Sequence, residues 1–199
     1  PTCQIISREM LEEILTICER RKMFLFIDEC FLDLTDRGEC LTMKPYLQTH
    51  QNLFLLKAFT KSYGMAGLRL GYCLCGNAPL LRTMGQTVQP WNVSVPAQKA
   101  GVAALKQTVF LEKAKQTIRE QRAALTGGLR ELGLRVIGSH TNYILFYSDR
   151  ELREPLLEKG IQIRSCANYP GLEAGWYRIA VKLPQENETL LAALKEILR

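Results

Sequence analysis

Histidine is almost missing from this chain: of 199 residues, only His50 and His140 carry an imidazole. The seven cysteines are odd in number and contain no Cys-x-x-Cys pair. Together these scarcities argue against a zinc centre and against a disulfide framework, so no metal is expected. Reduced thiols in a cytoplasmic protein are the simplest reading. Long apolar runs are lacking too, and none approaches the ~20 residues of a membrane helix. Residues 1–12 lack a basic flank leading into an apolar core, so no secretory leader is expected. The formal charge of +6 is scattered, apart from Arg20-Arg21-Lys22. That pattern does not favour nucleic acid and suits small anions instead. A hydrophobic content of 47% and a charged content of 23% are those of a globular protein with room for one or two domains.

What is present centres on one run, Ala58-Phe59-Thr60-Lys61-Ser62-Tyr63-Gly64-Met65-Ala66-Gly67-Leu68-Arg69-Leu70-Gly71-Tyr72. The apolar stretch Leu53 to Leu56 leads into it and reads as a buried strand. Lys61 therefore stands just past a strand, where α/β sheets hold their ligands. An amine in that place suits a Schiff base with an aldehyde cofactor. Glycines flank Arg69, allowing a close backbone turn that aims its guanidinium at an anion such as phosphate.

The remaining pattern is α/β in its first part. Ser7 reads as the N-cap of a helix over about 8–21. Met23 to Ile27 is a continuous apolar run expected to be a buried parallel strand, with Asp28 at its end. A third strand is expected over 70–75 and a short helix over 79–85. A long helical stretch runs from Ala97 to about Leu132. Its expected apolar stripe comprises Leu105, Val109, Ile118, Leu125, Leu129 and Leu132, with a break near Phe110 and a kink at Gly127-Gly128. The final part is expected to be α+β. Its strands lie at 143–147, 161–164 and 177–181, and its helices at 151–158 and 186–198.

The Lys61 run resembles the lysine motif of the class I/II aminotransferases, the fold-type I enzymes that use pyridoxal 5'-phosphate. In that family the motif reads Ser/Thr-Lys, then Gly-x-x-Gly-x-Arg-x-Gly. The resemblance extends over the whole chain. It implies part of a large, mostly parallel-sheet α/β domain over residues 1–104 and a small C-terminal α+β domain over 105–199. Pro1-Thr2-Cys3 looks like the tail of the family's Asn-Pro-Thr-Gly segment, so the chain is expected to be a C-terminal portion of a longer enzyme. By the same resemblance Lys61 is the cofactor-binding and catalytic lysine, Arg69 and Thr60 bind the cofactor phosphate, and Asp28 keeps the pyridine nitrogen protonated. Asp28 lies in Ile27-Asp28-Glu29-Cys30-Phe31, similar to the family's Asp-Glu-x-Tyr segment. A buried carboxylate there raises the pKa of the ring nitrogen by charge pairing. Glu29 reads as structural.

Substrate contacts follow from the resemblance as well. Arg178, opening a late strand, is the expected ligand of a substrate α-carboxylate. Arg164, in Ile163-Arg164-Ser165-Cys166-Ala167-Asn168-Tyr169-Pro170, stands where threonine-phosphate decarboxylases have an Arg for the substrate phosphate. Asn142 is a further substrate candidate. Trp91 and Tyr63 read as packing residues. Phe31 and Ala58 depart from the family's common Tyr and Ser; Phe is frequent at this place in threonine-phosphate decarboxylases. The implied function is L-threonine-O-3-phosphate decarboxylase, serving cobalamin biosynthesis. Histidinol-phosphate aminotransferase is the alternative, and an inactive fragment of such an enzyme is the third reading. The full-length enzyme is expected to be a homodimer, without nucleic-acid or membrane partners.

Overall fold

The computed structural model describes residues 2–199; Pro1, and with it part of the Pro1-Thr2-Cys3 match, lies outside the described residues. The chain forms two compact units, Ile6–Glu112, and residues 2–5 together with Lys113–Arg199.

In the first unit, Ser7 is extended and its hydroxyl accepts from Met10 N–H at 3.2 Å, which starts α1 (Arg8–Arg20). Leu11 and Leu15 recur one turn apart and face the sheet. The order continues β1 (Leu25–Asp28), a 3₁₀ turn Leu32–Leu34, α2 (Gly38–Leu41), a 3₁₀ segment Lys44–Gln48, β2 (Leu53–Ala58) and α3 (Phe59–Ser62). A 3₁₀ turn Ala66–Leu68, β3 (Gly71–Cys75), α4 (Ala78–Thr87) and α5 (Val95–Leu105) complete it. The sheet order is β1-β2-β3, with β1 parallel and β3 antiparallel to β2. Leu15, Met43, Leu53 and Leu55 form the core of this unit, with Leu25, Ile27 and Leu74 packed against them.

The Met23–Ile27 run is not uniformly buried as expected. Phe24 and Phe26 are 53% and 56% exposed. The strand alternates, so only Leu25 and Ile27 turn inward, and the two phenylalanines lie against Phe54 on the other face.

The second unit contains most of α6 (Thr108–Glu131), then β4 (Arg135–Val136), β5 (Tyr143–Tyr147), α7 (Arg153–Glu158), β6 (Arg164–Ser165), β7 (Trp176–Ala180) and α8 (Pro184–Leu198). Its sheet is antiparallel throughout, in the order β4-β5-β7-β6. Strand alternation sends Ile144, Phe146, Tyr177 and Ile179 into a core with Leu125, Leu129, Leu156 and Leu194. Leu145 faces the opposite side, where it meets Cys3 and Cys166.

The long helical stretch is broken at residues 106–107, between α5 and α6, rather than near Phe110. Leu105 and Val109, expected in the apolar stripe, are 55% and 65% exposed. The stripe that is buried begins farther along α6, at Leu125 and Leu129. The helix runs through Gly127-Gly128 without interruption. Among the described residues no helix is long and apolar enough to cross a membrane.

Candidate active site

Strand direction gathers the first group of candidates. β1 and β2 run parallel with Asp28 opposite Leu56, so Asp28 stands at the same end of the sheet as the exit from β2. That exit leads directly into α3, which carries Thr60 and Lys61. β3 returns antiparallel from this end, with Gly71 opposite Ala58. The turn before β3 therefore brings Arg69 to the same end, fixed by Phe59 N–H donating to Leu70 C=O at 3.2 Å.

Each side chain is held locally. The Asp28 Oδ1 accepts from Cys30 N–H at 2.9 Å, closing a short side-chain turn. Asp28 is exposed in this unit, not buried as a ring-nitrogen partner was expected to be. Its carboxylate sits beside Cys30, whose thiol is pushed up to about 12 by burial first and by Asp28 second. Lys61 Nζ lies 5.2 Å from the centroid of the Phe31 ring, a cation–π contact. Thr60 is half-buried. Ser62, next to Lys61, buries a hydroxyl oxygen that has no hydrogen-bond partner.

Arg69 occupies the left-handed region at φ 53° and ψ 45°, and its guanidinium donates to Ala66 C=O at 3.0 Å. An arginine held there stores backbone strain of about 1–3 kcal/mol, of the kind that clusters at ligand sites. The tight turn was expected from the flanking glycines; in the structure Arg69 itself takes the strained angle. Gly71 serves a different purpose, since a Cβ there would stand 3.0 Å from Lys57 C=O.

The second group belongs to the other unit. Arg164 on β6 and Arg178 on β7 are register partners in an antiparallel pair. Arg178 lies over the Tyr143 ring at 5.1 Å and Arg164 over Tyr169 at 5.7 Å. Arg164 also donates to Asn168 Oδ1 at 3.1 Å. Arg164, Arg153, Gln162 and Asn168 line an open cleft of about 520 Å³. Asn142 accepts from Val181 N–H through its C=O at 2.8 Å, and its Oδ1 accepts from the Thr141 hydroxyl at 3.1 Å. Trp91, expected to pack, is 95% exposed.

Sequence reasoning passed over Lys57. It donates to Glu29 Oε2 at 3.1 Å and to Asp33 Oδ1 at 2.8 Å. Burial alone would lower its pKa, but the two carboxylates outweigh that and raise it above the usual lysine value. The signal was available: a lysine that directly follows the apolar run Leu53 to Leu56, still on the strand, has to find a charge partner when it is buried.

The family model for aminotransferase class I and II matches residues 1–194. The chain belongs to that family. It is 34% identical to a threonine-phosphate decarboxylase of Salmonella typhimurium, over 100% of this chain and 55% of that protein. A solved histidinol-phosphate aminotransferase from Clostridium acetobutylicum superposes with a TM-score of 0.93 at 28% identity, covering 100% of this chain and 61% of that one. A histidinol-phosphate aminotransferase from Sinorhizobium meliloti, solved with pyridoxal-5'-phosphate, shares the fold at a TM-score of 0.85 and 23% identity, covering 100% of this chain and 55% of that one. The chain spans about half the length of the curated relatives it matches. The fold is thus that of the fold-type I enzymes, and the family depends on pyridoxal 5'-phosphate.

Proposed function

We propose that this chain carries the lysine-bearing part of a pyridoxal 5'-phosphate enzyme acting on a phosphorylated amino acid, an L-threonine-O-3-phosphate decarboxylase. The observation that carries the reading is the convergence of Asp28, Lys61 and Arg69 at one end of the first sheet, through the β1–β2 and β2–β3 registers.

The residues present fit that cofactor. A primary amine, a carboxylate, a guanidinium on a strained turn and an unpartnered buried hydroxyl at Ser62 make a suitable donor set. Lys61 would hold the aldehyde carbon, Arg69 and Thr60 the phosphate, and Asp28 the ring nitrogen. When bound, the cofactor supplies an electron sink for the pair left by the broken bond at Cα. Asp28 would keep the proton on the ring nitrogen, which maintains that sink. Arg178 would fix the substrate carboxylate by a two-pronged ion pair, and Arg164 the phosphate. Asn142 would orient the same substrate. Lys61 Nζ, released by the incoming amine, would then deliver a proton to Cα.

Support for the decarboxylase comes from Phe31, Arg164 and the 34% identity to the Salmonella typhimurium protein. Its product would be aminopropanol phosphate, used in cobalamin synthesis. The similarity to the Clostridium acetobutylicum structure favours a second reading, histidinol-phosphate aminotransferase, in which Lys61 would move a proton away from Cα instead. In either case we place the enzyme in the cytoplasm as a homodimer. We keep residues 1–104 as the cofactor part and 105–199 as the small domain; the two compact units support a division in this stretch, with residues 2–5 joining the second.

Borohydride reduction of the protein with added pyridoxal 5'-phosphate, followed by peptide mapping, tests the site. The expected result is one dominant adduct on Lys61, absent in Lys61→Ala. Release of CO2 from O-phosphothreonine without 2-oxoglutarate then supports the decarboxylase, and glutamate-dependent amino transfer to a phosphorylated ketone overturns it.

A further inference from the structure

Lys57, Glu29 and Asp33 form an ion cluster that the roles above leave unused. Glu29 is 3% exposed, and its carboxylate accepts from Met43 N–H at 2.9 Å, from the Thr42 hydroxyl at 2.8 Å and from Lys57 Nζ at 3.1 Å. A buried carboxylate needs such partners, and these suffice for it. Asp33 is a different matter. It is 37% exposed, so solvent reaches its carboxylate, yet it takes the shorter of the two Lys57 contacts, at 2.8 Å. One lysine thus meets two acids, which exceeds what neutralising Glu29 requires.

The placement explains the excess. Glu29 and Asp33 lie on either side of Phe31 in the chain, and the ring of Phe31 is the platform under Lys61 Nζ. Lys57 belongs to β2, the strand that delivers Lys61 through Ala58 and α3. The turn between is closed by Leu32 N–H donating to Glu29 C=O at 3.1 Å and Leu34 N–H donating to Phe31 C=O at 3.0 Å.

We propose that Lys57 and Asp33 are positioning residues: their ion pair, anchored on buried Glu29, fastens the turn after β1 to β2 and holds the Phe31 ring beneath the Lys61 amine. The significance for catalysis rests on the assignment of Lys61 above; the positioning itself does not. Without the clamp the turn keeps its ties from Glu29 and Cys30 to Leu56 but loses the ion pair at its Asp33 end, and the ring is held less firmly under the ammonium group. Lys61 then spends more time free in solvent and reacts faster with small electrophiles.

Competitive acetylation of the folded protein with acetic anhydride tests this, with Lys61 labelling read by mass spectrometry against exposed Lys44. In Asp33→Ala the Lys61 labelling ratio should rise about threefold, the scale of losing a surface cation–π contact. Lys57→Met should show the same rise, and Lys57→Arg should restore most of the original ratio. A ratio unchanged in Asp33→Ala while its melting temperature falls overturns the proposal, because the pair would then serve stability alone. Asp33 is partly exposed, so this variant carries the test even if Lys57→Met does not fold. Failure to trap Lys61 with pyridoxal 5'-phosphate in the unsubstituted protein would remove the enzymatic reading and leave the acetylation result intact.

Discussion

Arg164 and Arg178 face each other across β6 and β7, a pairing that like charges oppose by about 0.2–1 kcal/mol. Each guanidinium rests on a tyrosine, and neither is paired with a carboxylate among the described residues. An anion placed between them would relieve the repulsion. Inorganic phosphate at roughly ten times its Kd should therefore raise the melting temperature by about 3 °C over chloride of equal ionic strength. Arg164→Gln should abolish that gain. Equal melting curves in both salts would remove the anion from this part of the proposal. At this scale, legibility follows sequence distance. Lys61 and Arg69 are eight residues apart on one turn, so their motif is visible in the chain. The Lys57–Asp33 pair and the Phe31 ring under Lys61 depend on the parallel register of β1 and β2, which no local pattern specifies.

Among the elements, α6 offers an internal comparison. Gly127 and Gly128 are neighbours in a continuous helix, but their surroundings differ. A Cβ at Gly127 meets nothing within 4 Å, whereas one at Gly128 would lie 2.6 Å from Leu191 Cδ1. Gly127→Ala should stabilise the protein by about 0.5–1 kcal/mol through lost chain entropy in the unfolded state. Gly128→Ala should return less than that, or destabilise, because Leu191 has to move; denaturant unfolding of the two variants gives the comparison directly. Helices were readable where their ends carry chemical signals: Ser7 and Asn77 each accept from a first-turn amide, whereas Ser94, which caps α5 two residues before the expected start, was passed over. β4, with two residues, carries too little alternation to be read in advance, and β6, expected over 161–164, is confined to Arg164–Ser165. The Met23–Ile27 run misled for the related reason that an unbroken apolar string hides which face of an edge strand is covered.

For the molecule as a whole, the buried protons set an alkaline limit. Burial pushes the Cys3 thiol from 9.0 to about 11, and burial with Asp28 pushes Cys30 from 9.0 to about 12. Lys57 is raised as well, by its two carboxylates against the opposing effect of burial. In each case the folded state holds the proton more tightly than the unfolded chain. The stabilisation is therefore complete below pH 9 and is lost as the pH climbs toward 11 and 12. Melting temperatures taken stepwise from neutral pH should stay level and then fall above about 9, and Cys30→Ala should flatten part of the fall. A decline already complete below pH 9 would mean that other groups control it.

Cys3 has a consequence in time as well as in pH. It packs with Leu145 and Cys166 in the second unit, while the whole first unit intervenes in the chain. Synthesis runs from the amino end, so Cys3 leaves the ribosome long before either neighbour exists. Through that interval its thiol lacks the two partners that bury it in the finished structure. The second unit cannot close over Cys3 until Cys166 has emerged, so its last packing step is set by the order of synthesis.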